Sequence, residues 1–276
     1  MSFTLGDFIQ GMHGLAVLRH WTDDPAEAQR WSQRAAALNQ HYDQAVLDIV
    51  IHPTEEDYVT GYETWAGSYD GPNPMIAIEQ PEVEAILDTL PAGRSLDVGT
   101  GTGRFAQLAL VRGWEVAGID GSAHMPNVAK TKLPNADLRQ GDMTNLPWAD
   151  DTFDLVTSGL AICHLEDPEP AITEAARVLR SGGTFVFTNP HPTSSIPGGQ
   201  AFHDTVLGGA FPFVRNHHVS IGAYIVHFRS SGFAIDALHE PSLDAKTFPL
   251  AALDLPLAEA AMGGLPNVVV WHLTLS

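Results

Sequence analysis

The sequence predicts an α/β protein: an open, mostly parallel sheet covered by helices on both faces and preceded by a layer of helices. Three observations predict it. From Ser95 onward, short apolar runs alternate with helical segments, the rhythm of a parallel sheet with crossover helices. The run "SLDV" stops at three alternate glycines, Gly99, Gly101 and Gly103, and a helical stretch opens directly after them. Before residue 90 the apolar positions recur at steps of three and four rather than two. The expected organisation is a helical cap over 1–90 and an α/β domain over 91–276, with a further cap-forming insertion at about 190–232.

In the cap, Ala28, Trp31, Ala35, Leu38, Tyr42, Val46 and Ile49 form one stripe of an amphipathic helix. Asp24 can cap it, Pro25 suits its first position and Glu27 completes a capping-box spacing. The breaker-rich "DGPNPM" (70–75) ends this layer, and "QPEVEAILDTL" (80–90) is a shorter helix leading into the turn "PAGR". Strands are then expected at about 95–98, 114–119, 136–139, 153–158 and 184–188, with helices at about 104–112, 122–132 and 168–180. Pro168 and the pair Gly182-Gly183 mark the two ends of the last of these helices. An irregular stretch follows "TNPHP", then a helix in "VSIGAYIVHFRSSGF". The strand-like runs "AIDALHE" and "NVVVWHLTL" close the chain, with a proline-punctuated segment between them.

Composition narrows the partners. With 14 basic and 33 acidic residues the formal charge is -19, so the averaged field repels nucleic acid and anionic membrane surfaces. Cys163 is the only cysteine, which rules out an intrachain disulfide and a thiolate zinc cluster. "MSFTLGDFIQG" lacks the pattern of a secretory signal, and no apolar run approaches the ~18 residues of a membrane span. A cytoplasmic location is expected.

The glycine turn places backbone N–H groups at a helix start with no Cβ in the way of a ligand. A dinucleotide fingerprint needs Gly or Ala at position 104, where this chain has Arg104, and that counts against a nicotinamide dinucleotide. Asp120, at the end of "VAGID", lies where an acid can accept both ribose hydroxyls. Asp142 is a second acid after the third strand, and the apolar strand "FDLVTSG" follows it.

With "LDVGTGTG", "GID", "GDMTNLPWADDTFDLV" and "ITEAARVLRSGGTFVFT" in this order, the chain resembles the class I S-adenosylmethionine-dependent methyltransferases. Within them it is most similar to the small-molecule group that includes ubiquinone-biosynthesis-type enzymes. The resemblance spans about residues 60–190 and continues loosely through "RSSGFAIDALHEP". It implies a Rossmann-like sheet of seven strands, mostly parallel with the last antiparallel, and S-adenosyl-L-methionine as cofactor. By that resemblance Asp97 holds the methionine ammonium, directly or through water. Gly99, Thr100 (where the family commonly has Cys), Gly101 and Gly103 let the ligand lie against the backbone. Asp120 and Gly121 meet the ribose, Asp142 and the Met143 backbone the adenine edge, and Ser158 to Leu160 the sulfonium end. Tyr69, in "GSYD", matches a tyrosine that approaches the cofactor carboxylate.

The implied activity is methyl transfer to a small-molecule acceptor oxygen, nitrogen or carbon, by in-line displacement that rests on positioning. Where a base is needed, His164, His191 and His217 are the candidates by residue type. His191, His203, His217 and His218 have no carboxylate or cysteine at ligand spacing, so they are expected to line a substrate pocket rather than hold a metal. "TNPHP" looks like the Asn-Pro-Pro-aromatic motif of amine methylases, but it follows the fifth strand, not the fourth. Two other readings stay open, a nicotinamide-dependent dehydrogenase and a cofactor-binding protein without methyl transfer. The Trp- and Leu-rich N-terminal helices can serve as a lid or as a homodimer contact.

Overall fold

The protein is described from a computed structural model, which places residues 2–195, 198–202, 210–248 and 250–276. The chain runs β1 (Phe3–Thr4), α1 (Leu5–His20), α2 (Pro25–Ala35), α3 (Gln44–Leu47), β2 (Val50–Glu56), α4 (Tyr58–Trp65) and α5 (Pro74–Leu87). It continues through β3 (Arg94–Val98), α6 (Arg104–Leu110), β4 (Glu115–Asp120), α7 (Met125–Lys132), β5 (Asp137–Gln140), β6 (Phe153–Gly159), α8 (Glu169–Val178) and β7 (Leu179–Pro190). The last elements are β8 (Ala201–Phe202), β9 (Ala210–Val214), α9 (Ile221–Ser230), β10 (Phe233–His239), α10 (Ala251–Met262) and β11 (Val268–Leu275).

Two compact units result, and they divide the chain differently from the expected cut at residue 90. The larger comprises Asp57–Gln200, Val214–Pro241 and Pro266–Ser276; the smaller comprises Met1–Glu56, Ala201–Phe213 and Ser242–Leu265. Residues 57–90 belong with the sheet because α5 buries Val83, Ile86 and Leu87 against α6 and the start of β11.

The larger unit is a seven-stranded sheet in the order β10-β11-β7-β6-β3-β4-β5. β3 pairs in parallel with β4 and β6, β6 with β7, and β4 with β5. β11 alone is antiparallel, to both β7 and β10, as expected for the last strand. Period-two alternation sends Phe185, Phe187, Val269, Trp271 and Leu273 to one face, covered by α8 and α9. Val186, Val268 and Val270 go to the other, covered by α5, α6 and α7. From β3 the chain winds outward to β5, then returns to the other side of β3 with β6. The carboxyl ends of β3 and β6 therefore form a topological switch point, where open α/β sheets bind ligands.

The smaller unit is not purely helical. It contains a four-stranded sheet, β1-β2-β9-β8, packed with α1 and α10 around Ile9, Trp31, Leu257 and Ala261. The stripe Ala28 to Ile49 is not one helix: α2 ends at Ala35, Ala37 leaves helical geometry at φ -134, and Asp43 caps the new short helix α3 through the Ala45 amide. The expected helix at 80–90 starts earlier, because Asn73 caps it and Pro74 takes its first turn. Gly182-Gly183 do not end α8: Leu179 is already paired with Phe153, so the two glycines sit inside β7. The proline-punctuated segment contains α10, bent at Asp254 (φ -154, ψ 88) two residues before Pro256.

Candidate active site

A cleft of about 700 Å³, including the solvent it opens onto, lies at the switch point. Its floor is the glycine turn. Gly99 and Gly101 have φ of +70 and +54, a region L side chains rarely adopt. A Cβ on Gly99 would come within 2.3 Å of the Ala161 Cβ, whereas one on Gly101 would meet nothing nearer than 3.9 Å, so Gly101 leaves open room at the wall. The turn is strapped to β4: the Gly99 and Thr100 amides both donate to the Ile119 carbonyl at 2.9 Å, and the Gly101 amide donates to Asp120 Oδ2 at 2.7 Å.

Of the residues singled out in the sequence, Tyr69, Gly99, Gly101, Asp120, Gly121, Asp142, Met143, Leu160 and His164 line this cleft together. Asp97, Thr100, Gly103 and Ser158 lie behind its wall. Thr100 is buried and donates to the Asp97 carbonyl, while Gly103, at φ +86, opens α6 and packs on Ala129 and Leu133. Ser158 is fully buried in β6 and its hydroxyl has no partner among the described residues.

Asp97 is only 3% exposed, beneath the turn. Its Oδ1 accepts from Thr157 Oγ at 2.8 Å and its Oδ2 from the Ala106 amide at 3.1 Å. Burial pushes this carboxyl up to about 7 against the opposing pull of those two hydrogen bonds and of Arg104. Asp120, at the end of β4, is likewise raised by burial, although the Ser122 and Gly101 amides stabilise its charged form. Asp142 is exposed and accepts from the Thr144 amide and hydroxyl, both at 2.8 Å. Arg104, whose presence argued against a dinucleotide, is turned away to the buried Glu79, which also accepts from Thr188 Oγ at 2.6 Å. Among the described residues no Lys or Arg lines the cleft.

The opposite wall is aromatic and, apart from Tyr69, was missed in the sequence. α4 presents Tyr58 and Tyr62, and Tyr62 stacks on Trp65 at 5.6 Å and meets Tyr69 edge-on at 5.9 Å. The spacing of these four aromatics, at 58, 62, 65 and 69, is one helical face and was the available signal. The Tyr62 hydroxyl lies 2.7 Å from His164 Nε2, while His164 Nδ1 lies 2.7 Å from the Arg215 carbonyl. A carbonyl only accepts, so Nδ1 carries the imidazole proton and Nε2 accepts from Tyr62. Burial holds Tyr62 well above its ordinary value, which keeps it a donor, and lowers His164, which keeps the ring neutral.

The other histidines lie elsewhere. His191 is buried between Glu240, 2.8 Å from Nε2, and Thr193, 2.7 Å from Nδ1, and is not on the cleft wall. His217 and His218 line a second, smaller cavity, and His203 lies outside the described residues. Among the described residues no three His, Cys, Asp or Glu side chains are grouped as metal ligands, and no helix is long and apolar enough to cross a membrane.

The family model "Methyltransferase domain" matches residues 96–187, the span from the glycine turn to β7. A demethylmenaquinone methyltransferase of Renibacterium salmoninarum is 33% identical over 138 residues, covering 48% of this chain and 58% of its own. An uncharacterized methyltransferase of Anoxybacillus flavithermus is 32% identical over 142 residues, covering 48% of this chain and 67% of its own. The crystal structure of an S-adenosylmethionine-dependent methyltransferase from Mesorhizobium loti is similar at a TM-score of 0.54 and 26% identity, over 71% of this chain and 97% of that one. The chain spans 58% and 60% of the length of the first two demethylmenaquinone methyltransferases it matches. By its matched core, its strand order and the glycine turn at its switch point, the chain belongs to the S-adenosylmethionine-dependent methyltransferases.

Proposed function

We propose that the protein transfers a methyl group from S-adenosylmethionine to a hydroxyl of a neutral small molecule, with Tyr62 and His164 taking the proton. The observation that carries this is the pairing of an acid-lined, cation-free cleft with a tyrosine seated on a neutral imidazole in its wall. The cofactor fits the residues present: it carries a net positive charge, which Asp120 and Asp142 favour, and the open backbone at Gly101 leaves it room. When bound, it supplies an electrophilic methyl on a sulfonium.

Asp120 binds the ribose hydroxyls, Asp142 and the Met143 backbone read the adenine edge, and Gly99 and Gly101 let the amino-acid end lie on the turn. Asp97 acts from beneath the turn, lowering the energy of an ammonium above it. Leu160, held at φ +53 with its amide donating to the Thr188 carbonyl at 3.1 Å, narrows the cleft beside His164. Tyr62 Oη accepts the acceptor's hydroxyl proton as its own proton passes to His164 Nε2, and the Arg215 carbonyl steadies the imidazolium that results. The aromatic wall excludes water and orients the acceptor.

Titration calorimetry with S-adenosylhomocysteine and NADH, followed by assay of S-adenosylhomocysteine release over a panel of phenols and alcohols, tests this. Binding of S-adenosylhomocysteine but not NADH, with turnover on a hydroxyl acceptor, is expected. Preference for NADH, or cofactor binding with no turnover on any hydroxyl, overturns it.

A further inference from the structure

The mechanism above leaves unused a buried carboxylate behind the cleft wall. Glu79, on α5, is 0% exposed, and both of its oxygens are engaged: Oε1 accepts from Arg104 at the start of α6, and Oε2 from Thr188 Oγ at 2.6 Å. Thr188, fully buried near the end of β7, passes the tie on. Its hydroxyl gives its one proton to Glu79, which leaves a lone pair to accept from the Leu160 amide at 3.1 Å. A chain of hydrogen bonds therefore runs from α6 through α5 and β7 to Leu160, which lines the cleft at φ +53.

A bulky L residue rarely adopts that conformation, and it persists only where the surroundings over-determine it. They do so here from two sides. The Thr188 carbonyl and hydroxyl both accept from the Leu160 amide. The preceding residue, Gly159, lies against the Phe105 ring so closely that a Cβ would come within 2.7 Å of it, and the Arg104 guanidinium sits over the same ring, 4.3 Å from its centroid. From Leu160 one hydrogen-bonded turn leads to the base: Cys163 Sγ donates to the Leu160 carbonyl at 3.4 Å, and the His164 amide donates to the Ala161 carbonyl at 3.1 Å. The direction in which the chain leaves Leu160 thus decides where the His164 imidazole meets Tyr62. Desolvation offsets most of the attraction in a buried ion pair, so stability alone is a poor account of Glu79 and Arg104.

We propose that Glu79, Arg104 and Thr188 are positioning residues for methyl transfer, which act through the Leu160 amide to set the turn over 160–164 and so the place of His164 against Tyr62. This rests on the methyltransferase reading with Tyr62 and His164 as its base, and adds what holds that base in register with the cleft. None of the three residues lines the cleft, so their loss acts on kcat rather than on cofactor binding. Thr188 is the link to cut. Valine keeps its shape and branching, leaves the Leu160 bond to the residue 188 carbonyl in place, and removes only the hydroxyl between Glu79 and Leu160.

Steady-state kinetics, S-adenosylhomocysteine calorimetry and nitrogen NMR of the imidazoles, on the full chain and its Thr188→Val and Thr188→Ser variants, test the proposal, with His164→Gln identifying the His164 signal. Thr188→Val is expected to lower kcat about tenfold, to leave S-adenosylhomocysteine affinity within about twofold, and to move the His164 Nε2 signal as the bond from Tyr62 loosens. Thr188→Ser keeps the hydroxyl and is expected to hold kcat within about twofold of wild type, with the His164 signal in place. Thr188→Cys, a weaker donor, should fall between them and gives a second reading should Thr188→Val misfold. Unchanged kcat or an unmoved His164 signal in Thr188→Val, an equal loss in Thr188→Ser, or a fall in S-adenosylhomocysteine affinity as large as that in kcat overturns the positioning role. A wild-type chain that turns over no hydroxyl acceptor overturns the methyltransferase reading instead; the His164 signal reads the tether without turnover, so the two failures are distinguishable.

Discussion

Tyr62 and His164 lie 102 positions apart in sequence and meet at 2.7 Å, with the imidazole held on its other nitrogen by the Arg215 carbonyl. In the proposed mechanism the pair works as one unit, so its loss is not additive. Tyr62→Phe and His164→Gln are each expected to lower kcat by about 10²–10³, and the double variant to fall little further. S-adenosylhomocysteine affinity should hold in all three. The base must be neutral and burial lowers His164, so wild-type kcat should rise with pH through a value below 6.5 and stay flat above it. Stopped assays over pH 5–9 check this; multiplicative losses, or a limb above 6.5, contradict it.

On the proposed reading, Asp97 links cofactor binding to protons. Its carboxyl, ordinarily near 3.8, is raised to about 7 by burial, so the folded protein disfavours the charged form. The stability that Asp97 contributes to the unliganded protein should be greatest below pH about 4 and fall as pH rises through about 7, where half of the buried carboxyl is charged. A ligand ammonium above Asp97 favours the charged form, so binding near pH 7 should release a fraction of a proton. Calorimetry of S-adenosylhomocysteine binding in buffers of different ionisation enthalpy reads that release directly. Asp97→Asn should abolish it and flatten the pH dependence of Tm over the same range; release unchanged in the variant would exclude Asp97 as the source.

Gly99 is the turn position with the least tolerance. A methyl there meets the Ala161 Cβ at 2.3 Å on a backbone held at φ +70, so close contact and strain add. Gly99→Ala should cost about 2–4 kcal/mol in urea unfolding. Gly101→Ala has the same kind of strain, at φ +54, without the clash. It should cost about 1–2 kcal/mol and act mainly on ligand affinity. Equal destabilisation by the two changes would show that the Ala161 contact does not set the cost.

What was legible in the sequence follows the range of the interactions involved. The glycine turn, Asp97, Asp120 and Asp142 lie within one stretch of βα units, where strand ends fix their positions locally. The Tyr62 to His164 pairing depends on α4 meeting the turn after β6, which no local pattern encodes. The same limit hid the small sheet: β1 and β2 are joined by pairs such as Phe3 with Ile51, and β2 carries a proline, so nothing local marks it as a strand. Helix α10 was masked differently, because Pro256 reads as a breaker until Asp254 is seen to bend the chain and cap the second half of the helix. Likewise the stripe from Ala28 to Ile49 has the helical period throughout, but Tyr42 is held by Asp254 at 2.6 Å after the chain has left the helix.

That contact belongs to the polar centre of the smaller unit. Asp254 Oδ1 accepts from the Leu257 amide at 3.0 Å, closing the bend in α10, while Oδ2 accepts from Tyr42 and pairs with Arg34. The Asp254 side chain is 6% exposed and that of Arg34 23%, so the pair is shielded enough for its breakage to leave an uncompensated charge. Arg34→Met, which keeps an unbranched side chain but loses the guanidinium over Trp31, should cost about 2–4 kcal/mol because the carboxylate stays behind. Tyr42→Phe removes one hydrogen bond to a charged group and should cost about 1–2 kcal/mol. Asp254→Asn keeps a capping oxygen for Leu257 but puts an amide donor where Oδ2 accepts from both Tyr42 and Arg34, so it should cost at least as much as Arg34→Met. Urea unfolding of the three variants sets the order, and a Tyr42→Phe loss equal to that of Arg34→Met would show that the hydroxyl, not the ion pair, holds the bend.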